Sequence, residues 1–123
     1  MKAKKVRTGL RLRVYVAPDV LLGPGRADLL EGIRETGSIA AAGRRMGMSY
    51  KRAWTLIEKM NSEFGADVVT GATGGAHGGG SELTKLGEEI VKRYRNMEAA
   101  TNNAIKSDLT ALTRKLNVMS KRK

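Results

Sequence analysis

Residues 38–64 read SIAAAGRRMGMSYKRAWTLIEKMNSEF, and this stretch decides the fold. Ser38 and Ser49 are each suited to cap a helix, because a serine hydroxyl accepts a hydrogen bond from an unpaired amide of the following turn. One helix is predicted over residues 39–46, where a glycine closes it, and another over residues 50–64. Two capped helices joined by a three-residue turn predict a helix-turn-helix.

The outer surface of this motif is basic. Residues 36–57 contain no Asp or Glu, but they contain the cations Arg44, Arg45, Lys51 and Arg52. Small side chains at 40–43 would let the two helices cross closely. An ordinary helical hairpin, which is the alternative, needs neither the small residues nor the acid-free face, so the pattern favours DNA binding.

A strand and a helix are predicted before the motif. Leu10, Leu12, Val14 and Val16 alternate with Arg11, Arg13 and Tyr15, and a period of two residues predicts a half-buried strand over 10–16. Proline and glycine residues then break the chain. A helix is expected over 26–35 and should end at Gly37, while residues 1–8 should form a flexible basic arm.

A glycine-rich hairpin is predicted after the motif. Strands over 68–70 and 81–83 flank residues 71–80, which include six glycines. A β-hairpin at this place in a helix-turn-helix protein is a wing. Its glycines let the backbone approach a phosphate or a narrow groove, or they simply form a flexible tip, and the two interpretations are compatible.

A long final helix is predicted from Thr84 onwards. Apolar residues recur at spacings of three and four, as at Leu86 and Ile90. A helix approaching 30 residues is longer than a small core needs. The helix either packs wholly on its own domain or pairs with a second copy, and its length favours a dimer. Whether 106–108 interrupts it stays open.

The composition bounds the function. The 123 residues suffice for one domain, and 23 basic against 12 acidic residues give a net charge of +11, which favours a polyanionic partner. With no Cys and one His, we expect no enzyme, no metal site and no cofactor. The glycines lack the P-loop lysine, because Gly80 occupies its place. No membrane span or signal peptide is evident, so a cytoplasmic location without a membrane partner is expected.

The motifs also carry a family resemblance. Ser-Tyr-Lys-x-Ala-Trp at 49–54 precedes Thr-Gly-Gly-x-x-Gly-Gly-Gly at 73–80 and Leu83-Thr84. This order resembles the N-terminal domain of ModE-type molybdate-responsive regulators, which is a LysR-like winged helix-turn-helix. The resemblance covers about residues 9–118. Those regulators continue into a C-terminal molybdate-binding region, which this sequence does not include. Whether an effector such as molybdate is sensed, and by which protein, stays open.

The resemblance implies a dimeric, DNA-binding transcriptional regulator. The second helix of the motif would enter the major groove, the wing would contact DNA, and the N-terminal strand and last helix would pair two copies. The DNA-binding candidates are Ser38, Arg44, Arg45, Ser49, Tyr50, Lys51, Arg52, Thr55, Lys59, Thr73, Gly74, Gly75, His77, Gly78 and Gly79. The dimerisation candidates are Leu12, Val14, Ile90, Tyr94, Met97, Ile105, Leu109, Leu112 and Leu116.

The sequence thus predicts an α+β, mostly helical chain with four parts. These are an arm over 1–8, a winged helix-turn-helix over 9–83, a dimerisation helix over 84–118 and a basic tail over 119–123. The expected function is sequence-specific binding of double-stranded DNA by a homodimer. Two alternatives are an architectural protein that binds DNA without sequence choice and a DNA-binding subunit that pairs with a separate sensor protein.

Overall fold

A computed structural model of the chain describes residues 9–71 and 80–120, with side chains up to residue 116. Its elements, in chain order, are β1 (Val14–Ala17), β2 (Val20–Leu22), α1 (Pro24–Thr36), α2 (Ile39–Arg45), α3 (Tyr50–Phe64), β3 (Val69–Thr70), β4 (Glu82–Leu83) and α4 (Lys85–Ser120). The predicted mostly helical α+β class is confirmed. The predicted arm, most of the wing tip and residues 121–123 lie outside the described residues.

The N-terminal strand was predicted in the wrong form. Strand β1 covers only 14–17 and pairs antiparallel with β2, which was not predicted, through a turn at Pro18 and Asp19. The register shifts between Tyr15 and Ala17, so the alternation of sides fails there. Val16 is therefore 47% exposed and does not continue the inward row of apolar residues.

Helix α1 forms the centre of the core. It begins at Pro24, which suits a first helical position because proline has no amide hydrogen to leave unpaired. It ends as predicted at Gly37, whose φ of 74° is left-handed and favours glycine. Leu29, Leu30 and Ile33 on its inner face are fully buried.

The predicted helix-turn-helix is present with both of its serine caps. The Ser38 hydroxyl accepts a hydrogen bond from the Ala41 amide at 2.9 Å, and the Ser49 hydroxyl accepts one from the Arg52 amide at 3.1 Å. The small-residue block allows close packing, as predicted. A Cβ added to Gly43 would lie 3.2 Å from the Cβ of Ala53 on α3.

The base of the wing is held against the rest of the domain. Strands β3 and β4 pair antiparallel, as predicted, with Val69 opposite Leu83. The Ser81 amide donates to the Gly37 carbonyl at 3.0 Å, which ties the hairpin to the turn between α1 and α2. At the start of α4, a Cβ on Gly87 would collide with the carbonyl oxygen of Val68, so this close approach requires glycine.

Helix α4 is a single helix of 36 residues, or about 54 Å at 1.5 Å per residue, and 106–108 do not interrupt it. Its first turns complete the core, where Ile90, Val91 and Tyr94 are buried. Its later turns leave the domain, and Leu112 and Leu116 are 65% and 66% exposed. The N-terminal part of α4 therefore packs in the hydrophobic core, and its C-terminal part presents exposed apolar side chains.

Candidate nucleic-acid interface

The start of α3 presents a cationic surface. Lys51, Arg52 and Thr55 are exposed, and with Ser49 and Leu56 they line a shallow hollow of about 250 Å³. These residues share one side because positions one turn apart on a helix are neighbours. The first acid on α3 is Glu58, which comes about two turns after Lys51.

The cations near the motif differ in how far they are already neutralised. Arg45 pairs with Glu35 at 2.7 Å, and Lys59 lies 3.9 Å from a carboxylate oxygen of Glu63. Arg44, Lys51 and Arg52, by contrast, form no ion pair with any residue that the structure describes. These three therefore offer the least compensated positive charge for a polyanion.

The capping serines are committed to their own helices. Each hydroxyl oxygen of Ser38 and Ser49 already accepts a backbone amide, which leaves the hydroxyl hydrogen to donate to an incoming oxygen. The hydroxyl of Thr55 donates to the Lys51 carbonyl at 2.9 Å, so it is occupied within α3. Tyr50 is 51% exposed, at the first position of α3.

The remaining predicted DNA-binding residues belong to the wing tip. Thr73, Gly74, Gly75, His77, Gly78 and Gly79 lie outside the described residues. The strands that carry them are described, and they place the two ends of the wing tip at Gly71 and Gly80.

The predicted dimerisation residues fall into three groups. Ile90 and Tyr94 are buried in the protein's own core, and the Tyr94 hydroxyl donates to the Leu12 carbonyl at 2.7 Å. Leu12, Val14 and Met97 are half-buried. Further along α4 the same spacing continues through Ile105, Leu109, Leu112 and Leu116, which we call the distal stripe. Ile105 is half-buried, and the three leucines are exposed.

A second basic surface adjoins the start of α3, and the sequence analysis did not select it. The residues that line a groove of about 410 Å³ include Arg11, Arg13 and Arg26 together with Arg52 and Leu56 of α3. The strict alternation around Leu12 was the signal available in the sequence, because it places Arg11 and Arg13 together on the outward side.

A charged network joins α1 to the first half of α4. Arg95 donates to Asp28 at 2.7 Å, to Glu31 at 2.8 Å and to Glu98 at 3.0 Å. The hydrogen bonds from Arg95 hold the pKa of Glu31 below its ordinary value, and the same bonds raise the pKa of Arg95. The network fixes the long helix against the domain that carries the helix-turn-helix.

Within the described residues, no helix is long and apolar enough to span a membrane. Nor do those residues bring together three or more His, Cys, Asp or Glu side chains in an arrangement that could hold a metal ion.

Comparison with known proteins confirms the resemblance to ModE-type regulators. The chain is 44% identical over 71 residues to the transcriptional regulator ModE of Yersinia pestis, which is 58% of this chain and 27% of that protein. It is 38% identical over 102 residues to the molybdenum transport protein ModE of Azotobacter vinelandii, which is 80% of this chain and 38% of that protein.

Molybdenum-pterin-binding proteins match as well. MopB of Rhodobacter capsulatus is 44% identical over 86 residues, which is 70% of this chain and 32% of MopB. The chain therefore spans only about a third of the length of the relatives it matches. No protein-family model matches it.

A solved structure supports the fold. The crystal structure of the CbnR DNA-binding domain in complex with DNA aligns with a TM-score of 0.55 over 71% of this chain and 95% of that one. The two sequences are 20% identical over this alignment. The shared fold is the predicted winged helix-turn-helix.

Proposed function

We propose that the chain is a sequence-specific, double-stranded-DNA-binding transcriptional regulator that acts as a homodimer and has no catalytic activity. The observation that carries this proposal is the exposed start of α3, where Lys51 and Arg52 stand free of carboxylates on a winged helix-turn-helix scaffold. The names of the ModE relatives and the fold shared with a DNA-bound domain support it.

In this proposal α3 lies in the major groove. The groove admits an α-helix, and an arginine at the start of a recognition helix can donate two hydrogen bonds to the O6 and N7 atoms of guanine. Arg52 is assigned this reading role, with Lys51 beside it. Arg44 on α2 and the hydroxyl groups of Ser38 and Ser49 are assigned to backbone phosphates, which position the protein but carry no sequence information.

The wing is assigned to the DNA backbone or the minor groove. Its base is fixed by the hydrogen bond from Ser81 to Gly37, so the hairpin leaves the domain at a defined place beside the helix-turn-helix. Six of the ten residues at 71–80 are glycines, which have no side chain to collide with a phosphate or a groove wall.

Homodimerisation is assigned to the distal stripe of α4. Large apolar side chains that repeat along one face of a helix are stabilised when a partner covers them. A two-fold dimer presents two copies of α3 and should read a palindrome with half-site centres about 34 Å apart, or a multiple of this distance. A separate sensor protein that covers the same stripe is the alternative.

Selection of bound duplexes from a random pool tests this function. A palindromic consensus is expected, with affinity for it at least about 10³-fold above that for random DNA at physiological salt. The double variant Lys51→Ala/Arg52→Ala should lose the consensus. Recovery of no consensus by the unmodified protein, with tight binding to every duplex, would instead show an architectural DNA-binding protein.

A further inference from the structure

We propose that the segment Arg11–Arg13, just before β1, binds backbone phosphates of the DNA whose major groove receives α3. This inference rests on the proposed function, because it extends the DNA-binding surface beyond the helix-turn-helix. It assigns a contact role to two arginines of the N-terminal hairpin region, which would otherwise serve only the fold.

The first support is the continuity of two hollows. The basic groove contains Arg11 and Arg13, and the shallow hollow on α3 contains Lys51. Arg52 and Leu56 line both of them, so one cationic surface runs from the face of α3 to the N-terminal segment. A duplex seated on α3 would therefore place its adjacent backbone over the groove.

The second support is the way in which the segment is held. Leu12 lies between the two arginines, packs against the core and accepts the hydrogen bond from Tyr94 at 2.7 Å. Arg11 and Arg13 are exposed on either side of it. The stem of Arg13 also lies beside Gly23, with its Cγ 3.4 Å from the position of an added Cβ. The two charges are therefore presented from a tethered backbone.

The third support is the charge of the groove. Its lining contains no carboxylate. Arg26 is neutralised by Glu63 at 2.7 Å, whereas Arg11, Arg13 and Arg52 form no ion pair within the described residues. Three uncompensated guanidinium groups around one groove suit a phosphodiester, since guanidinium binds phosphate oxygens through two parallel hydrogen bonds.

The test compares two double variants of the full chain with equal changes in charge. Arg11→Gln/Arg13→Gln removes the proposed contacts but keeps much of each side-chain stem. Lys92→Gln/Arg93→Gln removes two exposed cations of α4 that do not line the groove. Affinity for the selected operator and for random DNA is measured by fluorescence anisotropy across a range of salt concentrations, and far-UV circular dichroism verifies the fold.

The Arg11/Arg13 variant should have a slope of log affinity against log salt that is shallower by about 0.9 to 1.8 on both DNAs, because each phosphate contact contributes about 0.9. Between 1 M and 0.1 M salt this amounts to a relative loss of about 8- to 60-fold. The Lys92/Arg93 variant should change the slope by less than half of that amount.

Equal slopes for the two variants would overturn this inference, although the unmodified protein would still bind DNA. Failure of the unmodified protein to bind either duplex would overturn the proposed function itself. A titration with inorganic phosphate tests whether the groove binds small anions instead of DNA. Saturable millimolar shifts of the Arg11 and Arg13 amide resonances, together with unchanged DNA slopes, would identify a small-anion site and would also overturn the inference.

Discussion

Replacing Leu112 and Leu116 by glutamine should convert the proposed dimer into a monomer. Complete burial of a leucine side chain is worth about 1.5–3 kcal/mol. Since these two are 65% and 66% exposed in the single chain, a partner helix that covers them would contribute about 1–2 kcal/mol for each. Two copies supply four such side chains, so the pair of substitutions should remove about 4–8 kcal/mol. That corresponds to a dissociation constant weaker by at least about 10³-fold.

Sedimentation velocity over a range of protein concentrations measures this change. A matched control is Ser107→Gln/Thr110→Gln, because these positions lie on the other side of α4 at 100° per residue and the same residue is introduced. The control should leave both the dimer and binding to the palindromic operator intact. A leucine variant that sediments like the unmodified protein would refute the assignment of the distal stripe to self-association. So would an unmodified protein that is monomeric at every concentration.

Three further outcomes are expected. Arg52→Ala should cost about 1–3 kcal/mol at one base pair of the operator and relax specificity there, and equal losses on operator and random DNA would argue against base reading. Tyr94→Phe should lower the free energy of unfolding by about 1 kcal/mol, because the Leu12 carbonyl loses its hydrogen-bond donor. Urea denaturation measures this change. An unchanged free energy of unfolding would indicate that water replaces the tyrosine hydroxyl. The lowered pKa of Glu31 implies that its bond to Arg95 stabilises the fold above the unfolded-state value near 4.5 and is lost as pH falls through the lower folded value. The melting temperature of Glu31→Gln should therefore lie below that of the unmodified protein at pH 7 and approach it as the pH falls below 4.5, whereas a constant difference would exclude this linkage.

Local signals in the sequence were sufficient for the helix-turn-helix. Both serine caps and the glycine after α1 act within one turn of the chain, so their effect can be read without knowledge of the tertiary structure. The wing strands were also found, since the Gly-rich stretch separates them clearly.

The sequence-based predictions were wrong or incomplete where the structure depends on contacts between distant residues or on irregular backbone geometry. The pairing of β1 with β2 depends on a tight turn at Pro18 and on a shift of register, and the sequence analysis treated that proline only as a break. Periodicity on α4 likewise could not separate Tyr94, which faces its own core, from Leu112, which does not. The apolar spacing is the same in both regions, and only the tertiary structure shows where the domain ends.

Because α4 is one continuous helix, it limits which insertions and deletions such a protein can accept during evolution. If the distal stripe joins two copies, the length of α4 sets the distance between the dimer interface and the two α3 helices that bind DNA. Removing one residue between Met97 and Ile105 would shorten α4 by about 1.5 Å. It would also rotate the distal stripe by about 100° about the helix axis relative to the DNA-binding domain, so the two copies of α3 would no longer be aligned for DNA binding. Removing seven residues would shorten α4 by about 10.5 Å but rotate the distal stripe by only about 20°. Functional variants of this protein should therefore differ in the length of α4 by multiples of two helical turns.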